Sequence, residues 1–134
     1  MIESTTMFKI LVVDDDIHAT TLFDTILSAK GFEAIIVNDS STAVQVVNST
    51  NPDLVILDLM MPEPNGFEVC RMLRADQRLS NMPIVIFTAM GDKESKDAAF
   101  EAGADEFLTK PFRVEDLMQR IRALIEKKDQ DYNE

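Results

Sequence analysis

Residues 54–58 read Leu-Val-Ile-Leu-Asp, a run of four large apolar residues that ends in a carboxylate. Residues 10–14, Ile-Leu-Val-Val-Asp, have the same arrangement, and residues 84–87 read Ile-Val-Ile-Phe. Strands that are apolar without alternation are covered on both faces, as in a parallel sheet. These three stretches therefore predict the centre of an α/β protein whose sheet has helices on both sides.

Helical patterns separate the strands, so that a strand followed by a helix recurs along the whole chain. The predicted strands are Lys9–Val13, Glu33–Val37, Leu54–Asp58, Ile84–Thr88 and Glu106–Leu108. The predicted helices run from about Ile17 to Lys30, from near Ser41, from after Gly66, from Lys93 to Ala102 and from Val114 to Lys127. Parallel strands joined by right-handed helical crossovers give a doubly wound sheet in a three-layer sandwich.

Length and charge narrow the classes of function. The chain has 134 residues, which fits one domain. It carries 13 Lys and Arg against 24 Asp and Glu, a net charge of −11. This charge repels phosphate backbones and anionic lipids, so we expect no direct binding to nucleic acid or to membranes. The single cysteine fits a reducing compartment, and we expect a cytoplasmic protein.

Polar side chains follow four of the five predicted strands, at the edge where such sheets bind ligands. Asp14 and Asp15 follow the first strand, and Asp58 ends the third. Thr88 ends the fourth strand, and Lys110 comes shortly after the fifth. Each residue alone would be an ordinary turn, strand-end or surface residue. Their convergence on one edge is what predicts a site.

The predicted cluster of charges suggests its chemistry. Three carboxylates repel one another, and one lysine cannot neutralise them. Mg²⁺ would, since it binds one or two carboxylates together with waters and a phosphate. A carboxylate is also a nucleophile for phosphoryl groups, whose transfer needs mainly positioning and charge neutralisation. We therefore expect Mg²⁺, Lys110 and the Thr88 hydroxyl each to bind one phosphoryl oxygen.

The motifs at this edge resemble the receiver domain of two-component response regulators. In family order and spacing they are Asp14-Asp15, Leu57-Asp58-Leu59-Met60-Met61-Pro62, Asn65-Gly66, Thr88-Ala89, Ala102-Gly103-Ala104-Asp105 and Lys110-Pro111-Phe112. The resemblance implies a flavodoxin-like, chemotaxis-regulator-like sheet of order 2-1-3-4-5 with five helices. It places the receiver domain at residues 8–128, with a short leader at residues 1–7 and a polar tail or the start of a linker at residues 129–134.

The resemblance also implies a role for each acidic residue. Asp58 would be the phosphoacceptor and would contact the metal. Asp15 would bind Mg²⁺ directly, and Asp14 largely through water. The backbone carbonyl of Met60 would complete the protein ligands, and Mn²⁺ could replace Mg²⁺.

The remaining motifs would act on the phosphoryl group. Lys110 would pair with Asp58 or its phosphate, and its bond to Pro111 would be cis. Thr88 would be the switch hydroxyl and Phe107 the switch aromatic, a position where relatives often have tyrosine. A purely structural role in the core remains an alternative for Phe107.

Taken together, the resemblance implies a signalling switch that catalyses only its own phosphorylation and dephosphorylation. A sensor histidine kinase or a histidine phosphotransfer protein would supply the phosphoryl group. The face of helix four, strand five and helix five would then change and control a downstream protein or a fused output domain. A homodimer through that face is a further expectation. The sequence does not decide between a complete single-domain regulator and part of a longer protein.

Three other classes of protein are alternatives to this switch. An aspartate-nucleophile phosphatase would have a second aspartate two residues after the nucleophile, where this chain has Met60. A flavin-binding module would need a phosphate loop where Asp14, Asp15 and Asp16 would repel the phosphate. A receiver-like protein-binding module that is never phosphorylated is the main alternative, although such modules usually lack one of these site residues.

Two methionines bear on the lifetime of the phosphoryl group. Met60 and Met90 lie two residues past Asp58 and Thr88, at positions that influence this lifetime in the family. Bulky apolar side chains there would hinder an attacking water, so we expect slow self-dephosphorylation. Met60→Asn and Met90→Lys would speed the decay if this hypothesis is correct.

Overall fold

The computed structural model describes residues 7–133, with side chains through residue 127. Most of the predicted leader, residues 1–6, lies outside the described residues. The strands are β1 (Lys9–Val13), β2 (Glu33–Val37), β3 (Leu54–Leu57), β4 (Ile84–Thr88) and β5 (Glu106–Thr109). The helices are α1 (Ile17–Ala29), α2 (Ala43–Thr50), α3 (Gly66–Ala75), α4 (Lys93–Glu101) and α5 (Val114–Asn133). All strands are parallel, in the order β2-β1-β3-β4-β5, which confirms the predicted fold class.

Alternation along the strands builds a separate hydrophobic core on each face of the sheet. In β1, Ile10 and Val12 pack with residues of α1 and α5, such as Phe23 and Leu117. Leu11 belongs to the other core, with residues of α2, α3 and α4. Successive side chains of a strand point to opposite faces, so a central strand must be apolar throughout. This double coverage explains the unbroken apolar runs in the sequence.

The ends of several elements differ from the sequence-based prediction. β3 ends at Leu57, and the Asp58 N–H still donates to the Val13 carbonyl at 3.1 Å. β5 reaches Thr109, which pairs with Thr88. A 3₁₀ turn over Ser40–Thr42 precedes α2, and another lies at Gln77–Leu79. α5 continues past the predicted end to Asn133, since neither glycine nor proline follows Pro111 to end the helix.

The five helices are held to the sheet to different extents. α3 buries Val69, Cys70 and Leu73 and begins with a capping box, in which Asn65 and Glu68 bind each other's backbone N–H groups. α4 buries only Ser95 and Ala99. Because burial of large apolar side chains is the main force that holds a helix on a sheet, α4 is the more weakly attached of the two. Of the described helices, none has the length and apolar character needed to cross a membrane.

Candidate functional site

The register of the sheet brings the predicted acidic residues together. Val13 pairs with Leu57, so the next residues, Asp14 and Asp58, emerge side by side at the carboxyl edge of the sheet. Carboxylate oxygens of Asp14, Asp15 and Asp58 all lie within 4.8 Å of one another. Asp14 and Asp58 are buried, whereas Asp15 is exposed. The structure thus places two carboxylates inside the edge and a third at its opening.

Burial makes the charge of Asp14 unfavourable. Loss of solvent raises the pKa of this carboxyl from 3.8 to about 6, and the nearby charge of Asp58 acts in the same direction. A hydrogen bond from the Asp16 N–H, at 3.0 Å from Asp14 Oδ1, and the charge of Lys110 oppose this rise in the pKa. A divalent cation would favour the charged form, so the cluster is suited to receive one.

Lys110 reaches both buried carboxylates. Its Nζ lies 3.5 Å from Asp14 Oδ2 and 3.7 Å from Asp58 Oδ2. The same ammonium stands 4.9 Å from the centroid of the Phe87 ring, which packs edge-on against Phe23 and Phe112. The Lys110-Pro111 bond is cis. The Lys110 ammonium thus lies between the Phe87 ring, which attracts a cation, and the two buried carboxylates.

Thr88 and Phe107 lie on the α4 side of the sheet. Both are buried, and Phe107 belongs to the same core cluster as Ala99 of α4. The Thr88 Oγ1 accepts a hydrogen bond from the Met90 N–H at 3.3 Å, and the Thr88 carbonyl accepts one from the Lys110 N–H at 2.9 Å. The Thr88 hydroxyl is therefore linked to the loop that follows β4, which leads into α4.

Met60 contacts the candidate nucleophile through its backbone. Its N–H donates to Asp58 Oδ1 at 3.2 Å, while its side chain is 56% exposed. This hydrogen bond orients the Asp58 carboxylate so that the other oxygen, Oδ2, is the one nearer Lys110. The Met60 carbonyl as a metal ligand stays a prediction.

Two residues of the site have structural roles that the sequence did not reveal. The Asn38 amide donates to the Asp14 carbonyl at 2.9 Å and to Thr20 Oγ1 at 3.0 Å, which fastens the loop between β1 and α1. In the sequence, the position of Asn38 directly after β2 was the only indication of this role. At Gly66, a Cβ atom would collide with the carbonyl oxygen of Asp58 and lie 2.7 Å from the Leu59 Cα. The family motif included Gly66, but only the fold shows this close approach.

The face formed by α4, β5 and α5 carries charges of both signs. A groove of about 670 Å³ runs along it, lined in part by Lys96, Phe107 and Asp116. Beside it, Arg120 Nη1 and Glu106 Oε1 form an ion pair at 2.7 Å. Phe107 lines this groove and belongs to the same core cluster as Ala99, so this residue joins the groove to the core beneath α4.

The donor set of the acidic cluster fits magnesium. Mg²⁺ is a hard cation that prefers oxygen ligands and usually keeps several waters. Asp14, Asp15 and Asp58 supply only oxygen atoms, and the exposed position of Asp15 leaves room for water. The cluster could therefore hold a metal ion of this kind.

Fold and site together define a flavodoxin-like α/β protein with an acidic, metal-compatible edge. The chain belongs to the family of response regulator receiver domains, whose family model matches residues 10–122. It is 41% identical over 121 residues to the DNA-binding response regulator MtrA of Mycolicibacterium paratuberculosis, covering 90% of this chain and 52% of MtrA. The chain thus spans about half the length of the curated relatives it matches.

Solved structures give the same result. The receiver domain of the Francisella response regulator 1452 matches with a TM-score of 0.82 and 31% identity, covering 90% of this chain and 98% of that domain. The chemotaxis protein CheY4 of Vibrio cholerae matches with a TM-score of 0.84 and 28% identity, covering 89% of this chain and 99% of CheY4. The predicted family is confirmed, and the chain is a receiver domain of two-component signalling.

Proposed function

We propose that this receiver domain takes a phosphoryl group onto Asp58 from a phosphohistidine and uses the aspartyl phosphate to control partner binding. The observation that carries the proposal is the single cluster that Asp58 forms with Asp14, Asp15 and Lys110. A carboxylate buried beside two others and one ammonium has the surroundings that phosphoryl transfer needs, which are positioning and charge neutralisation. The donor would be a sensor histidine kinase or a histidine phosphotransfer protein.

In the proposed transfer, Asp58 is the nucleophile and the donor imidazole is the leaving group. An oxygen of Asp58 attacks phosphorus, the bond between phosphorus and the donor imidazole nitrogen breaks, and the imidazole keeps the electron pair. Met60 holds Oδ1 through its N–H, whereas Oδ2 faces Lys110. Lys110 is then within reach to pair with an oxygen of the new phosphoryl group. Mg²⁺ held by Asp14, Asp15, Asp58 and the Met60 carbonyl would neutralise charge on the carboxylates and on the phosphoryl oxygens.

Thr88 supplies the conformational response. Its Oγ1 accepts a hydrogen bond from the Met90 N–H, and its hydroxyl proton can be donated to a phosphoryl oxygen, which is a strong acceptor. Movement of Thr88 shifts the loop between β4 and α4 and changes the packing around Phe107. α4 buries little, so its position responds at low cost. The face of α4, β5 and α5 then differs between the two states, and partners select one of them.

Relatives indicate the kind of output this switch could control. MtrA is named a DNA-binding response regulator, and the present chain covers about half of it. We propose that this domain acts in the cytoplasm on a downstream protein or a fused output domain. A homodimer through the face of α4, β5 and α5 is compatible with the mixed charges of that face, since Glu106 and Arg120 offer both signs.

The test of this proposal is phosphorylation with acetyl phosphate or phosphoramidate, with and without Mg²⁺. Intact mass should show the gain of one phosphoryl group that depends on Mg²⁺ and is lost in Asp58→Asn. Asp24→Asn is a matched control, because Asp24 lies exposed on α1 and should leave the gain unchanged. A folded chain that gains nothing would instead support a protein-binding module that is never phosphorylated.

A further inference from the structure

Two methionines stand at the opening of the site, in contrast to the buried ones. Met60 is 56% exposed and Met90 is 37% exposed, whereas Met61, Met82 and Met118 are buried. Both exposed residues are tied to the functional oxygens by their backbones. The Met60 N–H lies 3.2 Å from Asp58 Oδ1, and the Met90 N–H lies 3.3 Å from Thr88 Oγ1. The backbones of both residues thus lie at the site, while both residues are open to solvent.

We propose that Met60 and Met90 are a modification site at which a hydroperoxide sets the lifetime of the phosphoryl group. This inference rests on the proposed phosphorylation of Asp58. It adds a second input to the switch, because oxidation would change the decay of the signal without changing its donor.

The chemistry is a two-electron oxidation of each thioether. A sulfur lone pair attacks the outer oxygen of the hydroperoxide, the O–O bond breaks, and the leaving oxygen takes the proton. Sulfur becomes a sulfoxide, and the peroxide is reduced to an alcohol or to water. Small oxidants reach exposed methionines first, so Met60 and Met90 should react before the three buried methionines.

Oxidation changes the side chains of Met60 and Met90 from apolar to polar. A thioether is apolar and only a weak acceptor, so it does not hold a water near the phosphoryl group. A sulfoxide is polar and accepts a hydrogen bond from water. A water held in this position can attack the phosphorus, and a single net hydrogen bond corresponds to an acceleration of about three- to tenfold. The oxidised form should therefore lose its phosphoryl group faster.

The experiment compares phosphoryl decay before and after treatment with hydrogen peroxide. The protein is phosphorylated with phosphoramidate and Mg²⁺, freed of reagent, and followed by intact mass, while peptide mapping locates each sulfoxide. The double variant Met60→Leu/Met90→Leu keeps the apolar bulk and should not respond to peroxide. Met72→Leu is the matched control, because Met72 is 41% exposed on α3 and its loss should leave the response intact. Methionine sulfoxide reductase should restore slow decay.

A second variant avoids the oxidant altogether. Met60→Gln/Met90→Gln places polar side chains of similar length at these two positions. This variant should lose its phosphoryl group faster than the untreated protein. The inference is overturned if Met60 and Met90 carry sulfoxide while the decay rate stays the same. It is also overturned if the double leucine variant responds like the unmodified chain. A chain that gains no phosphoryl group before any peroxide is added contradicts the proposed function itself, a separate result.

Discussion

The two halves of the site are built differently. In the acid half, at the ends of β1 and β3, the side chains of Asp14 and Asp58 are held by backbone N–H groups of Asp16 and Met60. The other half, at the ends of β4 and β5, contains the proposed switch hydroxyl of Thr88 and is called the switch half; there the buried Thr88 leads into α4, which buries only two small side chains. The acid half is fixed by short local contacts, whereas the switch half depends on a weakly packed helix.

Under the proposed function, this difference would give the two halves separate tasks. Phosphoryl transfer tolerates little error in the position of the nucleophile, so its groups need rigid support. Transmission needs an element that changes position at low cost, and α4 has few apolar contacts to lose. Substitutions should therefore cost more stability in the acid half than at comparable positions of the switch half.

The largest effect is expected from a glycine in the acid half. In Gly66→Ala, the new Cβ would collide with the Asp58 carbonyl oxygen and lie 2.9 Å from its carbonyl carbon. Backbone atoms cannot move aside as a flexible side chain can, so the free energy of unfolding should fall by about 3 kcal/mol. Urea denaturation measures this loss, and phosphoryl uptake at Asp58 should fall with it.

Gly91 provides the matched substitution in the switch half. A Cβ at Gly91 would lie 2.9 Å from Thr109 Cγ2, the end of an exposed side chain that can rotate. Gly91→Ala should cost less than about 1 kcal/mol, and Thr109→Ser should remove most of that cost. Equal losses for Gly66→Ala and Gly91→Ala would contradict the proposed difference in rigidity.

The second prediction concerns the buried charge of Asp14. Its pKa of about 6 in the folded state exceeds the ordinary 3.8, so the folded state disfavours the charged form. The resulting destabilisation is complete above the folded pKa and disappears as the pH falls toward the unfolded value. In buffer with a metal chelator, Asp14→Asn should raise the free energy of unfolding by on the order of 2 kcal/mol at pH 7, with little change near pH 4.

Asp39 is a control because its pKa is shifted in the opposite direction from that of Asp14. Hydrogen bonds from Ser41 lower the pKa of its carboxyl, so its contribution is present at neutral pH and is lost as the pH falls. Asp39→Asn should therefore destabilise the protein slightly at pH 7 and not near pH 3. If Asp14→Asn and Asp39→Asn had effects of the same sign at pH 7, the cause given for Asp14 would be wrong.

The third prediction concerns a side chain that holds the loop between α4 and β5. Arg74 of α3 donates to the Gly103 carbonyl at 2.9 Å, to the Met82 carbonyl at 2.6 Å and to Asp105 Oδ2 at 2.9 Å. It thereby joins α3 to the loop between α4 and β5. Arg74→Met should lower the free energy of unfolding by about 2 kcal/mol, because part-buried carbonyls lose their donor.

A substitution at Arg78 is the control, because it removes the same positive charge without removing buried hydrogen bonds. Its side chain is 76% exposed and pairs with Asp76 at 3.4 Å, and such surface pairs contribute little. Arg78→Met should leave the free energy of unfolding nearly unchanged. Hydrogen exchange should speed up in residues 103–106 of Arg74→Met only, and exchange that rises equally in both variants would contradict the role given to Arg74.

These residues also show how far the sequence could predict the molecule. Apolar runs without alternation indicated the doubly wound sheet. Because the carboxyl ends of parallel strands meet at one edge, the sequence also predicted that Asp14, Asp58 and Lys110 lie close together. The partners of Arg74 could not be predicted, since they lie on loops brought near α3 only by tertiary packing. The role of Asn38 was missed for the same reason, because an amide after a strand gives no sign of which carbonyl it will bind.

The smallest effect is expected from Asn38, which supports the acid half from the edge strand. Asn38→Ala removes the donor to the Asp14 carbonyl and to Thr20 Oγ1, and Thr20 keeps its own bond to the Ile17 carbonyl at 3.1 Å. The free energy of unfolding should fall by about 1 kcal/mol, the value of one net hydrogen bond. Because the loop with Asp14 and Asp15 loosens, the Mg²⁺ concentration for half-maximal phosphoryl uptake should rise.

Asn48→Ala is the matched control, since the Asn48 side chain accepts one exposed hydrogen bond from Arg78, at 3.2 Å, far along the chain from the acidic residues. It should change neither stability nor the Mg²⁺ requirement. A variant of Asn38 that loses stability with an unaltered Mg²⁺ requirement would show that the β1–α1 loop is held by the aspartates themselves. In that case the rigidity of the acid half would come from its backbone hydrogen bonds alone, and the edge strand would contribute only to the fold.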